Sequence, residues 1–407
     1  MKILLINKFL YPKGGAEVST LNTEKLLTAK RHKVIFWGMD HPENPDYPYM
    51  ELFVSFVDYN RRNGIFKSFK AAVNLLYSFE AKNRIEKLLD IEKPDIVHLN
   101  NFAHQISPSI LDVFAKCNIP TVMTMRDCKL VCPTYLMLLD GEPCERCKDG
   151  KYYWCFLKNC TKSSYSKSLL NAMEMYLHHK ILHIYDKIDL FISPSMFLKE
   201  KIEEMGFKGK IFHLPNFLEL DDFFPCYEAK ENSIVYVGRL SQEKGLATML
   251  EAVKGLAVKL KIIGDGPLKA SLKFKVKSEK LDNVELLGYK SGDDLKNEVR
   301  NSIALIIPSE CYENNPRVVL EAFALGKPVI GSRIGGIPEL VKDSETGYTF
   351  TPGNALNLRY KIEYLLKNPD SAVEMGKNGR RFVEKELNTE EHYRKLMEIY
   401  QMALERH

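Results

Sequence analysis

Short apolar runs alternate with longer amphipathic stretches along the chain, and the alternation falls into two halves. In the first half, Lys2–Asn7, Lys33–Trp37, Ile96–Leu99, Thr121–Met125 and Leu190–Ser193 are predicted as buried strands. Helical stretches such as Glu17–Ala29 and Lys82–Leu89 separate them. In the second half, Ser233–Val237, Lys259–Ile263, Val284–Leu287, Ile303–Ile307 and Pro328–Gly331 repeat the theme. Strands buried on both sides and separated by helices make parallel sheets with helices on both faces. The predicted class is therefore α/β, with two doubly wound, Rossmann-like domains that bind ligands at the carboxyl ends of their strands. A proline break at Leu214-Pro215-Asn216-Phe217 puts the boundary between residues 1–214 and 215–387. From Asn357 onward the pattern is helical, and the amphipathic terminal segment, residues 388–407, is expected to pack back on the first domain.

The most informative local pattern is Pro308-Ser309-Glu310-Cys311-Tyr312-Glu313-Asn314-Asn315-Pro316-Arg317-Val318-Val319-Leu320-Glu321. Glu313 follows a strand, and Glu321 falls inside an apolar-periodic helix. Asn315 suits the N-cap and Pro316 the first helical position. At about 1.5 Å rise per residue, Glu321 would lie ~8–9 Å along the axis from that cap. Two carboxylates thus flank a helix start whose free N–H groups favour anions. A nucleotide sugar, with hydroxyls at both ends and phosphates between, matches that arrangement.

Three glycine turns extend the picture. Gly14 and Gly15 lie after the first strand, where they allow close approach to a phosphate or form a tight turn with positive φ. Their spacing is not the G-x-G-x-x-G of dinucleotide sites. In Val237-Gly238-Arg239-Leu240-Ser241-Gln242-Glu243-Lys244-Gly245, Arg239 and Lys244 lie beyond a strand end, placed to hold a diphosphate. Gly264-Asp265-Gly266-Pro267 follows the next strand and is assigned to the nucleobase side. The chain has no Asp-x-Asp pair, the common holder of a diphosphate through Mg²⁺ or Mn²⁺. The expectation is catalysis without a metal cofactor, with cations and helix amides neutralising the leaving group.

These motifs, followed in order by Gly335-Gly336-Ile337-Pro338-Glu339, resemble the retaining glycosyltransferases of family 4 (glycosyl transferases group 1) over essentially the whole chain. The resemblance implies the GT-B architecture, two Rossmann-like domains facing across a cleft, with the acceptor on the first and a UDP- or GDP-sugar on the second. It implies that Arg239 and Lys244 hold the diphosphate, and that Glu313 contacts sugar hydroxyls and Glu321 the ribose. The amides of Arg317 and Val318 would approach the phosphates, and Gly15 would face the donor from the other domain. The expected activity is transfer of a sugar to a saccharide or lipid-linked acceptor in polysaccharide or glycoconjugate assembly. A nucleotide-sugar epimerase of related architecture and a non-catalytic sugar-nucleotide-binding protein are the alternatives.

One departure stands out. Thr124-Met125-Arg126-Asp127 places Arg126 where many family members carry the histidine of a His-Asp pair. An arginine keeps its charge and cannot pass a proton. Arg126 is left to orient the sugar or stabilise charge beside Asp127, and the diphosphate itself becomes the candidate base. Glu313 as a nucleophile is the lesser alternative. His98 and His104 lie at the end of the preceding strand, either facing the ligand or serving the structure.

The bulk numbers bound the remaining classes. At 407 residues and a net charge of +5, nothing demands a nucleic-acid partner. No apolar run approaches the ~20 residues that span a bilayer, and the first segment is short for a signal peptide. The default expectation is a cytoplasmic protein. Arg61–Lys87 carries seven basic and two acidic residues interleaved with Phe66, Phe69, Tyr77 and Phe79. It reads as a solvated helix or as a surface touching anionic lipid from the N-terminal domain. Six of nine cysteines fall between Cys128 and Cys160. Within that insertion, Cys144, Cys147, Cys155 and Cys160 have spacing compatible with a structural zinc, with free thiols and disulfides as alternatives.

Overall fold

Each of two six-stranded parallel sheets grows from apolar runs buried on both faces. The computed structural model describes residues 1–56, 73–104 and 106–407. In chain order the strands are β1 (Lys2–Ile6), β2 (Lys33–Trp37), β3 (Met39–Asp40), β4 (Val54–Ser55), β5 (Ile96–Leu99), β6 (Thr121–Thr124), β7 (Leu138–Leu139) and β8 (Glu142–Pro143). They continue as β9 (Leu190–Ser193), β10 (Ile211–His213), β11 (Ser233–Val237), β12 (Lys259–Ile263), β13 (Val284–Gly288), β14 (Ala304–Ile307), β15 (Val329–Ser332) and β16 (Gly347–Phe350). The first sheet has the order β10-β9-β6-β5-β1-β2 and the second β13-β12-β11-β14-β15-β16. β3–β4 and β7–β8 are two-stranded side ribbons.

Contacts divide the chain into one unit of Met1–Met137, Glu145–Leu214 and Tyr393–His407, and another of Leu138–Cys144 and Pro215–His392. The cut at 214/215 falls at the proline break. Leu138–Cys144, inside the cysteine-rich insertion that the sequence assigns to the first domain, groups with the second unit.

Successive strand residues point to opposite faces, so a sheet covered on both sides needs an unbroken apolar run rather than an alternating one. β11 shows this directly. Ile234 and Tyr236 join one core cluster, with Leu260, Ile262, Ala304 and Ile306. Val235, between them, joins the other, with Ile263, Leu305, Val319 and Phe323. Register pairs Val235 with Lys261 on one side and Leu305 on the other.

The terminal helix, Thr389–Leu404, completes the first unit's core. Tyr400 is fully buried, and its hydroxyl lies 2.6 Å from Nδ1 of His98 in the middle of β5. Thr124 Oγ1 lies 2.7 Å from the other ring nitrogen. His98 is thus a saturated structural histidine and does not face a ligand. Tyr393 and His32 meet at 2.8 Å, and His407 meets Asp189 at 3.1 Å. Tyr400→Phe should lose about 1–2 kcal/mol of stability by unpairing His98. Tyr400→Ala should lose roughly 3–5 kcal/mol because it also opens a cavity. Denaturant unfolding of the two variants would check that ranking.

Candidate active site

In the second sheet the chain leaves β11 for β12 on one side and returns to β14 on the other. The β11 and β14 carboxyl ends therefore form the topological switch point, where open α/β sheets bind ligands. The loops there are packed backbone to backbone, and glycines make that possible. Gly245 (φ +67°) approaches Pro308 so closely that a Cβ would sit 1.8 Å from its carbonyl oxygen. Gly335 (φ +60°) would place one 2.3 Å from Glu313 O. Hydrogen bonds Leu240 N–H to Asp265 O (2.9 Å) and Gly336 N–H to Glu313 O (2.7 Å) close the ring of loops.

This framework brings Lys244 and Glu313 together. Lys244 Nζ donates to Glu313 Oε1 at 2.6 Å, and Ser309 Oγ donates to the same oxygen at 2.6 Å. Burial alone would raise the Glu313 carboxyl, but the Lys244 charge and these two hydrogen bonds hold it below the usual carboxylate range. Burial alone would likewise lower Lys244, and the adjacent carboxylate raises it instead. Both groups are charged at neutral pH. Beside them, burial followed by the Glu313 charge pushes the Cys311 thiol up to about 12, so it stays protonated. Arg239 is exposed, its carbonyl fixed by the Tyr236 hydroxyl at 2.8 Å.

The following helix is Arg317–Ala324, with Pro316 (φ −71°, ψ 114°) as N-cap. The expected Asn315 cap is thus one residue early, because Pro316 keeps extended ψ and starts no helical turn. Asn315 is buried, with its carbonyl accepting from Asn216 at 3.0 Å and its side-chain Oδ1 unpartnered among the described residues. Arg317 Nη2 reaches Glu321 Oε1 one turn on, at 3.3 Å. Burial raises the Glu321 carboxyl despite Arg317. Glu321 and Val318 line a cavity of about 120 Å³ with Phe223, Gly292, Leu295 and Lys296.

In the first sheet the switch point lies between β1 and β5. Their loops are stitched by Lys8 N–H to Asn101 O at 2.7 Å and by Asn101 N–H to Asn7 Oδ1 at 3.0 Å. Arg126, just past β6, is aimed by Asn100, whose Oδ1 accepts from Nε at 3.2 Å and Nη2 at 2.9 Å. Burial raises the neighbouring Asp127 carboxyl, opposed by the Lys129 N–H and by the charges of Lys8, Lys129 and His104. Lys129 Nζ in turn donates to the buried Glu174 at 2.7 Å, and His104 Nε2 lies 3.4 Å from the same carboxylate oxygen. Gly14 has φ −164°, an extended value open to any residue, and a Cβ there would meet only Glu17 Oε2, at 3.3 Å. A positive-φ turn is therefore not the reason for glycine at 14. Gly15 opens the helix Gly15–Ala29.

Cys155 and Cys160, two of the four cysteines assigned to a zinc, share a side-chain hydrogen bond. Among the described residues no group of three or more His, Cys, Asp or Glu side chains is arranged to hold a metal, and none of the nine cysteines is in a disulfide. Cys155 is buried in the helix Tyr153–Leu157, while Cys144 and Cys147 in the preceding turns and Cys160 after the helix are half-exposed. Of Arg61–Lys87, residues 61–72 with Phe66 and Phe69 lie outside the described residues. Ser78 caps the helix Phe79–Glu92 by accepting from Ala81 N–H.

Sequence reasoning missed Ser309, Asn100 and the Lys129–Glu174 pair. Ser309 lies four residues before Glu313 in an already suspect loop, and Asn100 follows a strand end in the first domain. Both positions were signals of a kind.

Two α/β units, each built on a parallel sheet with a switch point, define a two-domain Rossmann-like architecture. Residues 13–222 match the domain described as Glycosyltransferase Family 4, and residues 223–382 the domain described as Glycosyl transferases group 1. The first match alone spans more than half of the chain, which belongs to this family of glycosyltransferases. It is similar to a 42.6 kDa protein in the cps region of Klebsiella pneumoniae, 28% identical over 355 residues, covering 84% of this chain and 87% of that one. It is also similar to a glycosyltransferase of Methanocaldococcus jannaschii (MJ1178), 30% identical over 197 residues. That match covers 48% of this chain and 55% of the relative, so it spans about half of the relative's length. The GT-B fold is shared with sucrose-phosphate synthase from Thermosynechococcus elongatus, with TM-score 0.75 and 19% identity over 100% of both chains. It is shared too with Anabaena HepE in complex with UDP and glucose, with TM-score 0.66 and 15% identity over 99% of this chain and 100% of that one. Among the described residues no helix is long and apolar enough to cross a membrane.

Proposed function

We propose that this glycosyltransferase moves a sugar, with retention and without a metal, from a UDP- or GDP-sugar to a saccharide or lipid-linked acceptor in polysaccharide assembly. The observation that carries the reading is the Lys244–Glu313 ion pair at the switch point, one short loop before the helix Arg317–Ala324. Lys244 and Arg239, with the helix amides at Arg317 and Val318, supply the positive field that a leaving diphosphate needs. Glu313 takes sugar hydroxyls and Glu321 the ribose, as carboxylates accept from paired hydroxyls. The Klebsiella relative's place in a cps region and the UDP and glucose bound by HepE support the substrate class.

In the reaction the acceptor oxygen bonds to the anomeric carbon on the face from which the diphosphate leaves. The carbon–phosphate-oxygen bond breaks, and the acceptor proton passes to the departing phosphate oxygen. Arg126, fixed by Asn100 and always charged, orients the sugar or acceptor and takes no proton.

Turnover of a panel of UDP- and GDP-sugars, with product anomer read by NMR, tests this directly. Activity should persist in excess EDTA. A strict need for added Mg²⁺ or Mn²⁺, or an inverted anomer, would remove the corresponding part of the proposal. Donor binding with neither transfer nor hydrolysis would favour a binding protein.

A further inference from the structure

A cavity of about 610 Å³ opens beside the edge strands of the first sheet, and nothing in the proposed reaction uses it. Its walls come from the first unit alone. Ile188 and Asp189 lead into β9, and Lys208 to Lys210 lead into β10, so the cavity reaches the amino ends of those strands. Asn100 and Arg126 lie past the carboxyl ends of β5 and β6 in the same sheet. Volumes of roughly 300–1,000 Å³ are those in which proteins hold small molecules.

Aromatic rings line one side. The His179 ring lies over that of Tyr185, with centroids 4.7 Å and planes 31° apart, and Tyr152 approaches His179 at 5.7 Å. Phe191 on β9 meets Phe207 edge to face at 4.9 Å. Burial, followed by the charges of His178 and Lys129, pushes the His179 imidazole down to about 3, so it is neutral. Its Nε2 is buried with no hydrogen-bond partner among the described residues. A polar atom in that state costs stability unless something supplies the partner.

The rim is short of negative charge. Lys180, Lys208, Lys210 and Arg406 stand on it with three aspartates. Asp189 has both carboxylate oxygens taken, Oδ2 by the Thr121 N–H at 2.8 Å and Oδ1 by His407 at 3.1 Å. Asp186 lies 3.2 Å from His183 Nδ1, and Arg406 donates to the Asp189 carbonyl oxygen. Lys180, Lys208 and Lys210 are exposed and make no ion pair among the described residues. Asp149 is exposed and makes none either. Three unmatched ammonium groups thus stand against one unmatched carboxylate.

We propose that this cavity is a second binding site, for an acidic sugar, one that carries a phosphate or a carboxylate. The lysines hold the anion, Asp149 and His179 take ring hydroxyls, and the C–H face of the sugar packs on the aromatic side chains. Both halves of the ligand are needed. An inorganic anion would leave the aromatic wall uncovered, and a neutral sugar would leave the lysines unmatched. Neither Lys244 nor Glu313 lines the cavity, so the site stands or falls apart from the proposed activity.

The test is titration calorimetry of the full chain with glucose 6-phosphate, glucuronic acid, glucose and inorganic phosphate. At least one acidic sugar should bind about tenfold or more tightly than glucose or phosphate, and more weakly as salt rises. A response to glucose 6-phosphate alone marks a phosphorylated ligand, and a response to glucuronic acid alone marks a uronic acid. Lys208→Ser with Lys210→Ser should weaken binding by roughly tenfold or more, the worth of a hydrogen bond to a charged group, and the matching arginine variants should restore it. His179→Phe keeps the ring and deletes the unpaired nitrogen, so affinity should fall while the thermal melt stays at or above that of the parent. Lys244→Met should leave this binding unchanged. Failure of both acidic sugars to bind, equal binding of inorganic phosphate, or indifference to the cavity substitutions would overturn the proposal. So would binding that Lys244→Met abolishes, because the ligand would then sit at the switch point of the second sheet.

Discussion

Lys244→Met is expected to lower turnover by about a thousandfold, with the donor KM rising as well. The substitution removes the cation assigned to the diphosphate, and a preorganised charge of this kind supplies roughly 3–4 kcal/mol in the transition state. It also leaves Glu313 without its 2.6 Å partner. Breaking a buried pair from one side destabilises by about 3–5 kcal/mol at its upper end, and Glu313's partial exposure places the loss below that. The pH dependence separates the two effects. Glu313 titrates below, and Lys244 above, the ordinary value for its type. The pair's stabilisation is therefore fully present between the two unfolded values. It is lost as pH falls through the lowered carboxyl or rises through the raised ammonium. From about pH 5 to pH 9 the stability gap between parent and variant should stay flat, while the catalytic defect persists throughout. Denaturant unfolding and steady-state kinetics over that range check both. Near-parental turnover in Lys244→Met would reject the site.

Gly245→Ala is expected to be the most damaging single-methyl change. The residue sits at φ +67°, where an alanine is strained by about 1 kcal/mol. The added Cβ would lie 1.8 Å from Pro308 O, and that atom is backbone that cannot rotate aside. Either the β11 loop or the β14 loop must move, and those two loops carry Lys244 and Glu313. We expect a stability loss of roughly 3 kcal/mol or more, in the range of strained and overpacked sites. The donor KM should rise with it. Gly255→Ala is the control, since that glycine also has positive φ but nothing within 4 Å of its Cβ position. It should show only the strain. Equal effects in the two variants would mean that the close approach to Pro308 does not matter.

Much of the fold was legible because a doubly covered sheet writes itself as unbroken apolar runs. Lys33–Trp37, Ile96–Leu99, Leu190–Ser193, Ser233–Val237 and Lys259–Ile263 are strands with the expected bounds. The strands missed are the four of the short side ribbons, β3, β4, β7 and β8, and two edges of the large sheets, β10 and β16. Ile211–His213 and Gly347–Phe350 are only three and four residues long, too short to stand out as runs. The site was legible in its parts and not in its contacts. Lys244 and Glu313 are 69 positions apart, and only the adjacency of β11 and β14 brings them together. The sequence put one on the phosphates and the other on the sugar, and gave no hint that the two pair with each other.

The Tyr400–His98 contact has a consequence for how this molecule is made. Synthesis runs from the amino terminus, so β1 to β10 emerge long before the terminal helix does. The core around β5 then waits, with His98 facing a gap, while the whole second unit is translated. A nascent chain in that state is an incomplete sheet with an open apolar seam, the kind of surface that chaperones occupy. The half of the protein that is made first is the half that is finished last.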